Sequence, residues 1–385
     1  MHIVFFFPYK IVSGVPVLFA TLAEHISNNH PKIEVSIIDY ENGIINQLIK
    51  NKRINRIKFE DSKKIKVPKD SILILQSILP FSLRPELEIN FNQQLFFWNL
   101  HPDCLILNNL TKIRTLDKFI NKIRFASNLK IKSFIEFCMN KNGLVFMDDS
   151  NANQTLNYYR INKEPIFLQI CVRPLNKFLN KRNLNSISLP DTLKFTYIGR
   201  VVDFKYYPLK KVISSLSELV KNKSINKKVI FYIIGDGKMI NELKNFVSSN
   251  INNIKVVFLG VLDNNKIPKF LIDNKIDINF AMGTSVLDSI QMGVPTILLN
   301  YSYININSYP AYYFADEEKK FSLGRELNLN DLSDSNLIGL RENINNYLLN
   351  KNKYISNALN YAEEFSVNLV ADKFLKSIKK SKLNY

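Results

Sequence analysis

The 385-residue chain is long enough for two domains, and its 46% hydrophobic content lets both bury a core, which excludes a disordered composition. Lys+Arg 52 against Asp+Glu 34 gives a net charge of +18, which favours anionic partners such as nucleotide phosphates, acidic lipid or nucleic acid. Frequent Lys, Asn and Ile also fit the bland reading of a composition written by an AT-rich genome. Three cysteines, Cys104, Cys138 and Cys171, have no metal-ligand spacing and no even count, so a disulfide framework or zinc site is not expected and a reducing compartment is. No stretch approaches the roughly 18 apolar residues of a membrane span, and the opening MHIVFFFPY lacks the basic segment of a secretory signal.

In chain order, HIVFFF reads as a buried strand. The segment GVPVLFATLAEHISNN follows with apolar residues at helical spacing, Val15, Leu18, Leu22 and Ile26. IEVSIIDY, SILILQ, QLFFWN and the start of KNGLVFMDDSN are further short apolar runs. Such runs, alternating with helical patterns, predict a parallel sheet covered on both faces. The polar, aperiodic stretch 173–192 contains two prolines and is expected to be a linker. A second series follows: LKFTYIG, VIFYIIG, IKVVFLG, IDINFAMG and VPTILLN. Three of these strands end in Gly199, Gly235 and Gly260, and Gly283 closes the fourth. Glycine at the carboxyl end of a parallel strand lets backbone turn sharply and approach a ligand. Helices are expected after Leu332, the last one basic and amphipathic.

Two stretches carry candidate chemistry. In YIGRVVDFKYYP, Arg200 and Lys205 follow a strand end five positions apart, a planar fork of donors and a point charge that suit a diphosphate. Two solvated surface cations would look the same. In MGTSVLDSIQMGVP, Gly283, Thr284 and Ser285 are expected at a helix N-terminus, which is an anion site or plain capping. Asp288, a turn later, suits ribose hydroxyls or the helix dipole.

Taken together these residues resemble the glycosyltransferases of the GT-B fold, of the family-4 or group 1 type. Gly199-Arg200 with Lys205 five residues on, the strand-end Gly235-Asp236-Gly237, and Gly293-Val294-Pro295 with Asp288 five residues before it match that pattern over 195–300. The resemblance implies an α/β chain of two Rossmann-like doubly wound domains facing a central cleft. Residues 1–175 would receive the acceptor, 176–192 link, 193–365 bind the nucleotide sugar, and the basic helix 366–385 cross back to the first domain. It implies that Arg200 and Lys205 hold the donor diphosphate and stabilise the leaving nucleotide, that Asp288 binds ribose, and that Thr284 and Ser285 add phosphate contacts. Gly14 in the N-terminal turn would approach the diphosphate, and His101, after QLFFWN, would stand near the bond being made, although a strand-end His with no special role fits the same position. No metal and no other cofactor is implied, because two cations do a metal's work. The family carries two Glu eight positions apart; the second is Asp288 here, and the first falls on Phe280, which leaves the donor-sugar contacts open.

The implied activity is transfer of a sugar from a nucleotide-diphosphate donor to a saccharide or lipid-linked saccharide, with retention, in cell-surface polysaccharide, lipopolysaccharide, capsule or glycolipid synthesis. A cytoplasmic protein, peripheral on the inner face of the plasma membrane, is expected. The stretch 111–132 places Ile113, Leu116, Phe119, Ile120 and Ile123 on one helical stripe and Arg114, Lys118 and Lys122 on another, which suits an anionic membrane or an ordinary solvated helix. The competing readings are an inactive scaffold of the same fold, an epimerase or phosphorylase, and a nucleic-acid binder. The last lacks a helix-turn-helix, zinc or aromatic ribonucleoprotein motif, so no nucleic-acid partner is expected.

Overall fold

The structure is a computed structural model. It describes residues 1–11, 13–77, 84–106, 117–172, 191–263, 265–306, 312–318, 320–327 and 339–385, with the side chains of 103 and 117–126 not included. The chain divides into two units, Met1–Pro174 with Phe365–Tyr385, and Leu175–Glu364. The expected linker 176–192 lies almost wholly outside the described residues, as do the side chains of the basic stripe, Arg114, Lys118 and Lys122.

Unit 1 runs β1 (His2–Phe6), α1 (Gly14–Asn29), β2 (Glu34–Asp39), α2 (Ile44–Leu48), β3 (Asn55–Lys58), β4 (Ile65–Lys66) and β5 (Ser71–Gln76). It continues with β6 (Leu87–Glu88), β7 (Gln94–Asn99), α3 (Asp117–Asn140), β8 (Leu144–Phe146) and α4 (Asp149–Tyr159). Its six-stranded sheet is parallel in the order β3-β2-β1-β5-β7-β8, and β4 pairs only with β6. Successive side chains of a strand point to opposite faces. In β1, Ile3 and Phe5 therefore join the core under α1, while Val4 and Phe6 join the core under α3 and α4. Both faces are apolar because helices cover both, which is why these strands read as continuous hydrophobic runs. Strand β3 was not legible as a strand: its residues NRIK sit at the sheet edge, largely exposed, with no apolar run to betray them.

Unit 2 runs β9 (Thr192–Ile198), α5 (Asp203–Lys221), β10 (Lys228–Ile234), α6 (Ile240–Asn250), β11 (Lys255–Gly260) and α7 (Ile267–Asp273). Then come β12 (Ile278–Ala281), α8 (Thr284–Ile290), β13 (Thr296–Leu298), α9 (Leu340–Leu349) and α10 (Lys351–Glu364). Its five parallel strands lie in the order β11-β10-β9-β12-β13. Both sheets therefore have the doubly wound order, in which the chain leaves the first strand one way and returns on its other side. The last helix, α11 (Val367–Lys380), belongs to unit 1. Phe374 stacks on Phe5 and Trp98 with ring centroids 5.8 and 6.0 Å away, and the buried face Val370, Ala371, Phe374 and Ile378 completes the core that α1 begins.

Candidate active site

A doubly wound sheet binds ligands outside the carboxyl ends of its strands, at the point where strand order reverses. In unit 2 that point lies between β9 and β12. Gly199 and Arg200 follow β9, and Met282 and Gly283 follow β12. The polypeptide approaches itself closely there. Gly199 N–H donates to Ile234 O at 3.0 Å, Val201 N–H to Asp236 O at 2.9 Å, and Met239 N–H to Val201 O at 3.1 Å. Gly235 has φ 138°, and a Cβ on it would stand 2.0 Å from Gly199 O. A side chain at 235 therefore has neither the backbone conformation nor the room it needs. Asp236 is exposed, and its carboxylate accepts from Gly237 N–H at 2.8 Å, shaping this turn.

Arg200 and Lys205 share this end of the sheet. The Tyr197 hydroxyl, on a fully buried ring, donates to Arg200 O at 2.9 Å and fixes the backbone where the loop leaves β9. Lys205 lies in the first turn of α5, and its Nζ stands 3.5 Å from where a Gly199 Cβ would be. Burial and the neighbouring Arg200 charge lower the Lys205 ammonium to about 8. Neither side chain has a hydrogen-bond or ion-pair partner among the described residues, although Asp203, two residues before Lys205, is bonded to Lys238 at 2.6 Å. Two neighbouring cations, one partly desolvated and both without a counter-ion among the described residues, define a place for an anion.

The β12–α8 turn supplies the opposite side. Gly283, with φ 68°, is the N-cap of α8, and its N–H donates to Leu323 O at 2.7 Å. Neither Thr284 nor Ser285 caps the helix: Thr284 is exposed, and the Ser285 hydroxyl turns back to Met282 O at 3.0 Å. Asp288 is half-buried, with no partner among the described residues, and burial raises its carboxyl to about 6.

Phe280, which stands where the resembled family carries its first Glu, is a core residue. Its ring is fully buried in β12, stacked on Phe231 at 5.8 Å and edge-on to Phe195 at 5.9 Å. Only Ala281, Met282 and Gly283 separate it from α8. Position 280 faces the core between Phe195 and Phe231.

Unit 1 carries the other two candidates. Gly14 opens α1, is exposed, and has open space where a Cβ would stand, so no steric demand selects glycine there. His101 is exposed just beyond β7; its N–H donates to the buried Asn99 Oδ1 at 3.2 Å, and its carbonyl accepts from Cys104 N–H at 3.2 Å. Sequence reasoning missed Ser77 and Asn99, adjacent at the carboxyl ends of β5 and β7, each fully buried with Ser77 Oγ and Asn99 Nδ2 unpartnered. Single small polar residues after apolar runs give no signal until strand pairing sets them side by side. No group of metal-ligating side chains is present among the described residues.

No family model matches the chain, and no curated protein matches it. Among solved structures the chain is similar in fold to the following two. A glycosyltransferase from Rickettsia africae is 14% identical, covers 98% of each chain, and superposes with a TM-score of 0.55. A trehalose-6-phosphate protein from E. coli bound with UDP-2-fluoro glucose is 9% identical, covers 100% of each chain, and has a TM-score of 0.56. At these identities the likeness shows the fold: two Rossmann-like domains of the GT-B type.

Proposed function

We propose that the chain is a nucleotide-sugar-dependent glycosyltransferase. The observation that carries this reading is the pair Arg200 and Lys205, cations with no counter-ion among the described residues, at the switch point of the unit-2 sheet. In the reaction the bond from the anomeric carbon to the diphosphate oxygen breaks, and its electron pair goes to the diphosphate. An acceptor hydroxyl forms the new bond to the anomeric carbon and gives its proton to the departing diphosphate oxygen. Negative charge grows on the departing nucleotide, and cations already fixed where it grows lower the barrier without reorganising. Asp288 accepts hydrogen bonds from the donor ribose. The backbone around Gly199, Gly235, Asp236, Gly283, Thr284 and Ser285 admits the diphosphate. The two cations make a metal unnecessary. In unit 1, Gly14 is the candidate to approach the diphosphate, and His101 the candidate to stand near the bond being made.

The finer reading follows the family resemblance: family-4 type, retention at the anomeric carbon, and a saccharide or lipid-linked acceptor for cell-surface polysaccharide, lipopolysaccharide or capsule. Peripheral binding to an anionic membrane is supported by the net charge of +18 and by Lys50, Lys52, Arg53 and Arg56 lining one concavity beside the exposed edge strand β3. No helix among the described residues is long and apolar enough to cross a membrane. Binding to anionic vesicles should weaken as salt rises; equal binding to neutral vesicles would remove the membrane part.

The test of the enzyme reading is nucleotide release from a panel of nucleotide sugars, with and without chelator. Turnover by the wild type that survives chelation, and that Arg200→Ala and Lys205→Ala each reduce about 10²- to 10³-fold, is the expected result. Near-wild-type turnover in both variants would sink the assignment.

A further inference from the structure

Beside the cation pair stand three aromatic rings. Phe204 precedes Lys205 in the first turn of α5, and Tyr301 and Tyr303 follow β13. Phe204 lies 5.8 Å from Tyr301 at 77° and 5.8 Å from Tyr303 at 51°, and the two tyrosine rings are 6.3 Å apart at 86°. Lys205 Nζ is 5.9 Å from the Phe204 centroid, so cations and rings are contiguous. The backbone holds this cluster in place. Ser302 N–H donates to Phe204 O at 2.9 Å, Tyr301 N–H to Arg325 O at 2.9 Å, and Leu327 N–H to Tyr301 O at 2.9 Å.

The cluster is only half sheltered. Tyr303 is 60% exposed and the adjoining Ile304 49%. Exposure alone means little, since Phe91 is more exposed still. What distinguishes Tyr303 is its place: an exposed ring after β13, packed on Tyr301 and on the Phe204 ring that also neighbours the partly desolvated Lys205 ammonium. Folding gains little from leaving such a surface wet. A flat ring laid on it gains stacking, and rings already ordered lose little entropy on binding.

Resting on the nucleotide-diphosphate reading of this site, we propose that Phe204, Tyr301 and Tyr303 form a stacking platform. It takes the ring face of the group carried on the diphosphate, while Arg200 and Lys205 hold the diphosphate itself. Two rings are attached to a nucleotide-sugar diphosphate, the base and the sugar, and both offer an apolar face.

The experiment is calorimetric titration of wild type, Tyr303→Ala and Tyr303→Phe. The probes are uridine, guanosine, adenosine and cytidine diphosphates, the glucose conjugate of the tightest binder, and inorganic pyrophosphate. Tyr303 is exposed, so both variants should fold, which circular dichroism checks. Loss of stacking should weaken binding roughly five- to hundredfold in Tyr303→Ala and little in Tyr303→Phe, with pyrophosphate unchanged. Weakening of both the diphosphate and its conjugate places the base on the platform; weakening of the conjugate alone places the sugar there. Wild-type binding that Tyr303→Ala leaves intact, or that falls equally for pyrophosphate, overturns the platform and spares the enzyme reading. A wild type that binds none of the probes takes down both.

Discussion

The two sheets share one topology and end in different chemistry. In unit 2 the strand ends are backbone and positive charge: Gly199, Gly235 and Gly260 close β9, β10 and β11 at positive φ, with Arg200 and Lys205 alongside. In unit 1 they are buried polar side chains, Asp39, Ser77, Asn99 and Asp148. Asp39 accepts from four backbone N–H groups, those of Tyr9, Tyr40, Ile45 and Asn46, at 2.8 to 3.2 Å, and so ties the loop after β1 to the start of α2. The contrast teaches that the fold chooses where a ligand can sit and the strand-end residues choose its charge. Unit 2 is open and cationic, which suits a diphosphate. Unit 1 is tied down internally and presents hydroxyl and amide groups.

Four changes test this contrast, the largest effect first. Phe280→Glu would put a carboxylate between Phe195 and Phe231, and should cost unit 2 at least about 5 kcal/mol, through lost packing and an unpaired buried charge. A folded variant in denaturant titration, with improved sugar selectivity, would return position 280 to the site. Next come Arg200→Ala and Lys205→Ala, each removing about 3 to 4 kcal/mol of transition-state stabilisation. Their melting temperatures should hold or rise, because removing one of two neighbouring like charges relieves repulsion. A fall in stability as large as the fall in turnover would make the pair structural rather than ligand-directed.

In unit 1, Asp39→Asn should lower stability by about 2 kcal/mol, because an amide cannot accept four N–H groups with its nitrogen half. Thermal melting checks this, and nucleotide affinity in unit 2 should not change. The smallest effect is on pH. An ionised Asp288 accepts from ribose more strongly than a neutral one, and Lys205 holds the diphosphate more strongly when charged. Affinity for a nucleotide sugar, whose diphosphate does not titrate in this range, should therefore rise through about pH 6 and fall through about pH 8. Stability moves the other way above pH 8. There the unfolded chain keeps a proton on Lys205, whose ordinary value is 10.5, that the folded chain has lost, so this residue's contribution to stability rises with pH up to about that value. Affinity and stability that fall together above pH 8 would assign the limb to unfolding instead.

Much was legible in the sequence because it is local. Buried strands are apolar runs, as in HIVFFF and KVIFYII, and a helix such as α1 repeats its apolar residues at 3.6. The glycines announced themselves because a strand end that must turn tolerates little else. The edge strand NRIK escaped because half of what defines a strand is its partner, and its exposed side chains carry no pattern. The burial of Phe280 was not legible, because a count from Asp288 does not say which face of a strand a residue takes.

By itself, then, the chain determined its class, two α/β units, and the residue types its second unit offers a ligand, since hydrophobic period and strand-end glycines are short-range properties. The tertiary structure alone decided which strand ends become neighbours. The return of the chain to the far side of β9 sets β12 beside it, and so brings the Gly283 turn to the same end of the sheet as Arg200 and Lys205. The same folding brings Tyr301 and Tyr303 onto Phe204, nearly a hundred residues earlier. Such contacts follow from sheet order, and sheet order is the one long-range choice that local pattern does not contain.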